Sequence, residues 1–168
     1  MITIINYGSG NINAIGNIYN RLNIPFKIAN SPQDVAGAEK IILPGVGAFD
    51  ETISILDKSG FRSVLDKEVL ENKVPVIGVC VGMQILAESS EEGALPGLGW
   101  IKGKVKKIDS SLLKSKPKIP HLGWNSIKIT RNSILFDRID EELGFYFLHS
   151  YYFDCEDSDD TLAITDYG

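Results

Sequence analysis

Three times in its first 86 residues the chain runs through a short, largely apolar segment and straight into a glycine turn: TII before NYGSG, IIL before PGVG, and VPVIGV before CVGMQ. Apolar runs without polar alternation suit strands of a parallel sheet that is covered on both faces. The stretches between them carry helical spacing. After YGSG the apolar positions Ile12, Ile15, Ile18, Tyr19 and Leu22 recur with a helical period. A strand is expected at residues 3–5, another at 25–29, a helix start at Ser31-Pro32, and a third strand at 40–43. Ile53, Leu56, Phe61, Val64, Leu65, Val69 and Leu70 then predict one broken helix or two short ones, punctuated by Gly60, ahead of a strand at 74–79.

From about residue 99 the pattern shifts to shorter alternating strands, expected at residues 105–108, 126–130, 145–153 and 162–165, with few helical stretches between them. The expectation is an α/β fold: a three-layer, open, mostly parallel sheet with additional antiparallel strands in the second half. No repeat, low-complexity tract or internal boundary interrupts residues 1–168, which read as a single domain.

Composition narrows the function classes. No apolar stretch approaches the roughly 20 residues a membrane-spanning helix needs, and MITIINYGSG lacks a basic region followed by a long apolar core. Two cysteines make a poor disulfide framework, which points to a reducing cytoplasm. With 17 Lys and Arg against 22 Asp and Glu, the net charge of −5 argues against nucleic acid as a partner. The basic stretch at residues 102–118 opens as KGKVKKID, which alternates like a strand with its lysines on a solvated face.

The chemistry concentrates at Gly78-Val79-Cys80-Val81-Gly82. A nucleophile between glycines, at a sharp passage from strand to helix, stands above the strand ends where substrate can reach it. The unpaired N–H groups of a helix's first turn favour a thiolate and can stabilise an oxyanion. A buried cysteine at a tight packing point explains the same residues. PGVG at 44–47 follows its own strand and so falls at the same sheet edge, where ligands bind in such folds. Its glycines let a peptide present N–H to developing negative charge, or simply make a tight turn. YGSGN at 7–11 raises a dinucleotide site but lacks the third glycine of that fingerprint. Cys155, in FDCEDSDD, has no comparable setting.

LPGVGAF at 43–49, GVCVGMQIL at 78–86, PHLGWN at 120–125 and FLHSYYF at 147–153 together resemble the class I glutamine amidotransferases, whose fold is flavodoxin-like. With PGLGW at 96–100, they resemble within that family the glutaminase subunits of imidazole glycerol phosphate synthases, over the entire chain. The resemblance implies glutamine as substrate, a heterodimer with a barrel-shaped cyclase partner, and neither cofactor nor metal. It implies that Cys80 attacks the glutamine side-chain amide to form a thioester and release ammonia. Gly82 and Gln84 match substrate contacts after the nucleophile. Val81, leucine in most of the family, supplies a backbone N–H to the oxyanion hole, which the peptide of Gly45, Val46 and Gly47 completes. His149, Ser150 and Tyr151 match a segment that grips the amino-acid end of glutamine through its main chain; they also read as a mostly buried strand. His121, Trp124 and Asn125 match a partner interface beside the ammonia exit, and Trp124 and Asn125 read equally as a core indole and a turn amide.

The family's base and orienting carboxylate stand in a late His-Pro-Glu motif, which the residues up to Gly168 do not contain. His121 and His149 are the two histidines, and neither precedes Pro-Glu. The expectation is therefore a domain whose C-terminal part is missing and whose turnover is strongly reduced. Three other readings share some of these residues. One is an amidotransferase subunit serving a surface-sugar amidating enzyme, and another is a non-catalytic module that binds glutamine or a partner. The third is a cysteine-elbow protein of the stress-chaperone and deglycase type, although such proteins carry His where Val81 stands.

Overall fold

The computed structural model describes residues 1–113 and 119–168; Lys114, Lys116 and Lys118 of the basic stretch lie outside them. The first half alternates strand and helix. Strand β1 (Ile2–Ile5) leads through YGSGN into helix α1 (Ile12–Arg21), which Asn11 caps by accepting the Ala14 N–H at 3.0 Å. Strand β2 (Phe26–Ala29) is followed by a single 3-10 turn, Pro32–Val35, closed by a capping box between Ser31 and Asp34. Strand β3 (Lys40–Gly45) leads into α2 (Phe49–Ser59) and α3 (Phe61–Asp66), separated at Gly60, whose φ of 75° ends one helix and opens the next. Strand β4 (Val76–Cys80) runs directly into the one-turn helix α4 (Val81–Gln84).

These strands form a four-stranded parallel sheet of order β2-β1-β3-β4. Register sorts its side chains into two faces. Ile5, Ala29, Ile41 and Leu43 point to one side and pack with Phe49, Ile53 and Leu56 of α2 and Phe61 and Leu65 of α3, all buried. Ile4 and Ile42 point to the other side, where α1 lies with Gly16 against the Phe26 ring. Ile77 and Val79 share that second face by register with Ile42 and Pro44, and are 49% and 41% exposed. Helix α1 is where the periodicity predicts, but Ile18 and Leu22 face solvent, so the helical period marks the element without marking its buried stripe.

The second half is β-rich. Strands β5 (Ser89–Ser90) and β6 (Gly103–Lys107) pair in parallel, and β7 (His121–Asn125) and β8 (Lys128–Ile129) follow. Strand β9 (Phe145–His149) pairs antiparallel with β7, β10 (Tyr151–Cys155) with β6, and β11 (Ala163–Ile164) with β8. In β6 the lysines are surface groups, with Lys106 paired to Asp154 at 2.6 Å and Lys104 to Glu91 at 3.9 Å. Two expectations need correction. The run at 145–153 is two strands in two different sheets, broken at Ser150, because its alternation serves β7 before the break and β6 after it. HLGWN is a strand rather than a turn around Asn125.

Candidate active site

Cys80 ends β4 and caps α4 with φ 58° and ψ −124°, a backbone conformation that costs a non-glycine residue free energy and is kept where structure over-determines it. What over-determines it is a backbone-to-backbone contact. Gly45 of PGVG stands opposite Cys80 in the β3–β4 register. A Cβ at Gly82 would overlap the Leu43 carbonyl oxygen, one at Gly45 the Gly82 nitrogen, and one at Gly78 the Met83 backbone. The two glycine turns therefore close on each other only because side chains are absent. The turn holds Cys80 exposed, not buried as a packing cysteine would be. Val81 is buried, and its N–H lies in the first turn of α4, beyond the reach of any intrahelical acceptor.

The loop after β1 buttresses this arrangement. Tyr7 is buried and donates its hydroxyl to the Pro44 carbonyl at 2.5 Å; burial pushes its phenol up to about 12, partly offset by a hydrogen bond with Ser9. Ser9 Oγ accepts the Val46 N–H at 3.0 Å and donates to the Val46 carbonyl at 3.1 Å. The Val46 amide is thus engaged by Ser9, and the side chain of Val46 is 64% exposed. Gly47, with φ 103°, turns the chain into α2, whose first N–H, at Phe49, is accepted by Glu92 at 2.8 Å. Tyr7 and Ser9 escaped the sequence reading as site-shaping residues. Their signal was that YGSGN and PGVG both follow strands that turn out to be neighbours in the sheet. A cleft of about 540 Å³ at the ends of β1 and β2, lined in part by Asn6, Gly10, Asn11 and Asn30, carries no lysine or arginine among its described lining residues for a dinucleotide phosphate.

Gln84, on α4, is buried and donates to the Tyr151 carbonyl at 3.5 Å, which brings the segment at 149–151 beside the cysteine turn. His149 and Tyr151 are half-buried around the Ser150 break. The three residues of PHLGWN expected to act together are divided by the strand. Trp124 points outward, 66% exposed, with Leu122 and, across the register, Tyr146 and Leu148. His121, 2% exposed, and Asn125, partly buried, point inward. Inside, the His121 ring is stacked between Phe147 and Tyr167, with centroids at 4.5 and 4.0 Å. Desolvation, and then the neighbouring His149, hold the His121 imidazole below the usual histidine range. Among the described residues no cluster of three or more His, Cys, Asp or Glu could hold a metal ion.

An open parallel sheet carrying a strained, exposed cysteine at a strand-to-helix turn, with a second glycine loop in register beside it, defines an α/β domain of the cysteine-elbow class. The match to a family is direct: residues 3–167 fit the model described as "Glutamine amidotransferase class-I", and the chain belongs to that family. It is 49% identical over its full length to "Imidazole glycerol phosphate synthase subunit HisH" of Bdellovibrio bacteriovorus, covering 82% of that protein. It is 47% identical, with the same coverage, to the protein of the same name from Leptospira borgpetersenii. Among solved structures it resembles a glutamine amidotransferase from Thermotoga maritima, at a TM-score of 0.56 and 18% identity, covering 92% of this chain and 62% of that one. Another solved structure, also of a glutamine amidotransferase, matches at a TM-score of 0.58 and 19% identity, covering 76% of this chain and 64% of the other.

Proposed function

We propose that this chain is the glutaminase subunit of an imidazole glycerol phosphate synthase, releasing ammonia from glutamine for a cyclase subunit that forms imidazole glycerol phosphate and AICAR in histidine biosynthesis. The observation that carries the reading is Cys80, exposed at φ 58° with Gly45 opposite it in register. The full-length likeness to proteins named as synthase subunits supports it.

The thiolate of Cys80 adds to the side-chain amide carbon, forming the S–C bond and placing negative charge on the amide oxygen beside the Val81 N–H. The C–N bond breaks as the nitrogen takes a proton and leaves as ammonia; water then adds to the thioester, and the thiol returns as glutamate departs. Gly82 and Gln84 on α4 contact the substrate, and residues 149–151 hold its amino-acid end. A second oxyanion donor from Gly45, Val46 and Gly47 requires the Val46 amide to leave Ser9. The proton shuttle is neither histidine of this chain. His149 has Nδ1 on the Tyr151 carbonyl and Nε2 on His121, and His121 Nε2 faces Asn125.

The exposed row of Leu122, Trp124, Tyr146 and Leu148 is the part of this site region best suited to a partner subunit. No helix among the described residues is long and apolar enough to cross a membrane. The two free cysteines support a cytoplasmic setting.

The test is mass spectrometry after incubation with a chloromethyl-ketone analogue of glutamine, from which a thiolate displaces chloride directly, with no proton supplied by a base or acid. A single adduct on Cys80, prevented by excess glutamine and absent in Cys80→Ala, is expected. An adduct on Cys155 alone, or none, would overturn the assignment.

A further inference from the structure

The inner face of the β7–β9 ribbon contains a hydrogen-bond chain whose direction can be assigned atom by atom. His149 Nδ1 lies 2.9 Å from the Tyr151 carbonyl, which only accepts, so Nδ1 carries the proton. A neutral His149 then has a lone pair on Nε2, and His121 Nδ1, 3.0 Å away, must be its donor. A neutral His121 is left with a lone pair on Nε2, 3.2 Å from Asn125 Nδ2. The orientation of Asn125 is fixed independently, because the same Nδ2 donates to the Asp166 carbonyl at 2.8 Å. Two amide protons meet two acceptors, and each imidazole is the Nδ1–H tautomer. The chain ends on the Tyr151 carbonyl, which also accepts from Gln84 beside the cysteine turn.

We propose that His121 and Asn125 are positioning residues: through this one-way chain they hold the Tyr151 carbonyl, and with it the main chain at 149–151, against Gln84 at the nucleophile turn. What that segment holds in place, the amino-acid end of glutamine, rests on the glutaminase reading. The chain closes only with both rings neutral. A proton added to either ring sets N–H against N–H at the His121–His149 contact or against the Asn125 amide.

The groups facing the two rings are aromatic rings and amides. From β7 there is Asn125, and from β9 the Phe147 ring and each histidine's partner. From the segment after β11 there are the Tyr167 ring and the Asp166 backbone. Among the described residues no carboxylate is hydrogen-bonded to either imidazole. The antiparallel register pairs His121 with His149 directly, so the contact is built into the strand pairing.

The test uses the whole chain labelled with 15N-histidine. Because it has two histidines, long-range spectra report four ring nitrogens. At neutral pH both rings are expected as Nδ1–H tautomers, the minor form of free histidine, and an Nε2–H ring in either position overturns the relay. Three variants separate the hydrogen bonds from ring packing, read by glutamine titration. His121→Phe keeps the stack and removes both nitrogens. Asn125→Leu removes the donor to both His121 Nε2 and the Asp166 carbonyl. His121→Asn restores a donor near the Nδ1 position. Glutamine binding should weaken about fivefold to tenfold in the first two and return to within about twofold of wild type in the third, the size expected for a lost and restored hydrogen bond. Equal weakening in Phe and Asn variants, or none in any, overturns the positioning role. A wild-type chain with both tautomers as assigned that neither binds glutamine nor is alkylated at Cys80 overturns the glutaminase reading, and the positioning role with it. A chain that binds glutamine but shows an Nε2–H ring overturns the relay alone.

Discussion

The cysteine turn and the β7–β9 ribbon lie side by side and are held by opposite means. At the turn, Gly45, Gly78 and Gly82 let backbones meet where no side chain fits, and buried aliphatic residues of β3, α2 and α3 fill the space behind. In the ribbon, little apolar surface is buried: Leu122, Trp124, Tyr146 and Leu148 face out, and the inner side is ordered by imidazoles, an amide and two aromatic rings. The turn is fixed by exclusion and the ribbon by directional bonds. The first should fail when volume is added, the second when a donor is removed or a proton is added.

A pair of glycine substitutions puts this to the largest test. In Gly82→Ala the added methyl meets the Leu43 carbonyl, a backbone atom that cannot swing aside. Urea unfolding should show a loss of about 3 kcal/mol or more, or no folded protein. Gly123→Ala, in the ribbon, meets nothing within 4 Å but sits at φ 120°. Its cost is torsional alone, about 1–3 kcal/mol. Equal losses at both sites would remove the distinction between steric and directional control. A second pair compares burial: Leu56→Ala, fully buried, should cost about 2–5 kcal/mol, while Leu148→Ala, 61% exposed, should stay within about 0.5 kcal/mol.

Smaller effects come from pH, and they act at opposite ends of the scale. Tyr7 has its phenol raised to about 12 against an ordinary 10, so the unfolded chain releases that proton first. The stability it contributes is complete below pH 10 and is lost as pH rises from 10 to 12; Tyr7→Phe should flatten this limb of the stability profile and cost about 1 kcal/mol at neutral pH. His121 is shifted the other way, held below the ordinary 6.5. The unfolded chain takes up that proton first, so stability is complete above pH 6.5 and falls as pH drops through the lowered value. His121→Asn should remove the part of the acid limb just below pH 6.5 while leaving the alkaline one, as followed by thermal unfolding across pH.

The two regions also differ in how far residues alone reveal them. The turn is legible because glycine spacing and apolar runs are local signals: LPGVG and GVCVG mark both sides of a contact that the parallel register then brings together. The broken helix at Gly60 and the order of strands and helices through α3 are legible for the same reason. The ribbon is not, since the break at Ser150 depends on which sheet claims each half of FYFLHSYYF, a non-local choice. Nor does HLGWN declare which of its residues point inward until His149 stands opposite His121. Ser9 and Tyr7 went unread because their task is to hold a loop 37 residues away.

The smallest expected effect on folding separates the ribbon's two sides from each other. Trp124 is 66% exposed and meets the Tyr146 ring edge-on at 6.0 Å. Replacing it with alanine removes little buried surface, so unfolding should shift by no more than about 0.5 kcal/mol. If the outer row is the partner-facing surface, the same substitution removes its largest aromatic, and binding to the cyclase subunit should weaken by about 2 kcal/mol or more, as anchoring tryptophans do at interfaces. Calorimetric titration of the two proteins reads this directly. A folded Trp124→Ala chain that binds the partner as tightly as wild type would leave the outer row without a task, and the ribbon would matter only for the main chain it holds at 149–151.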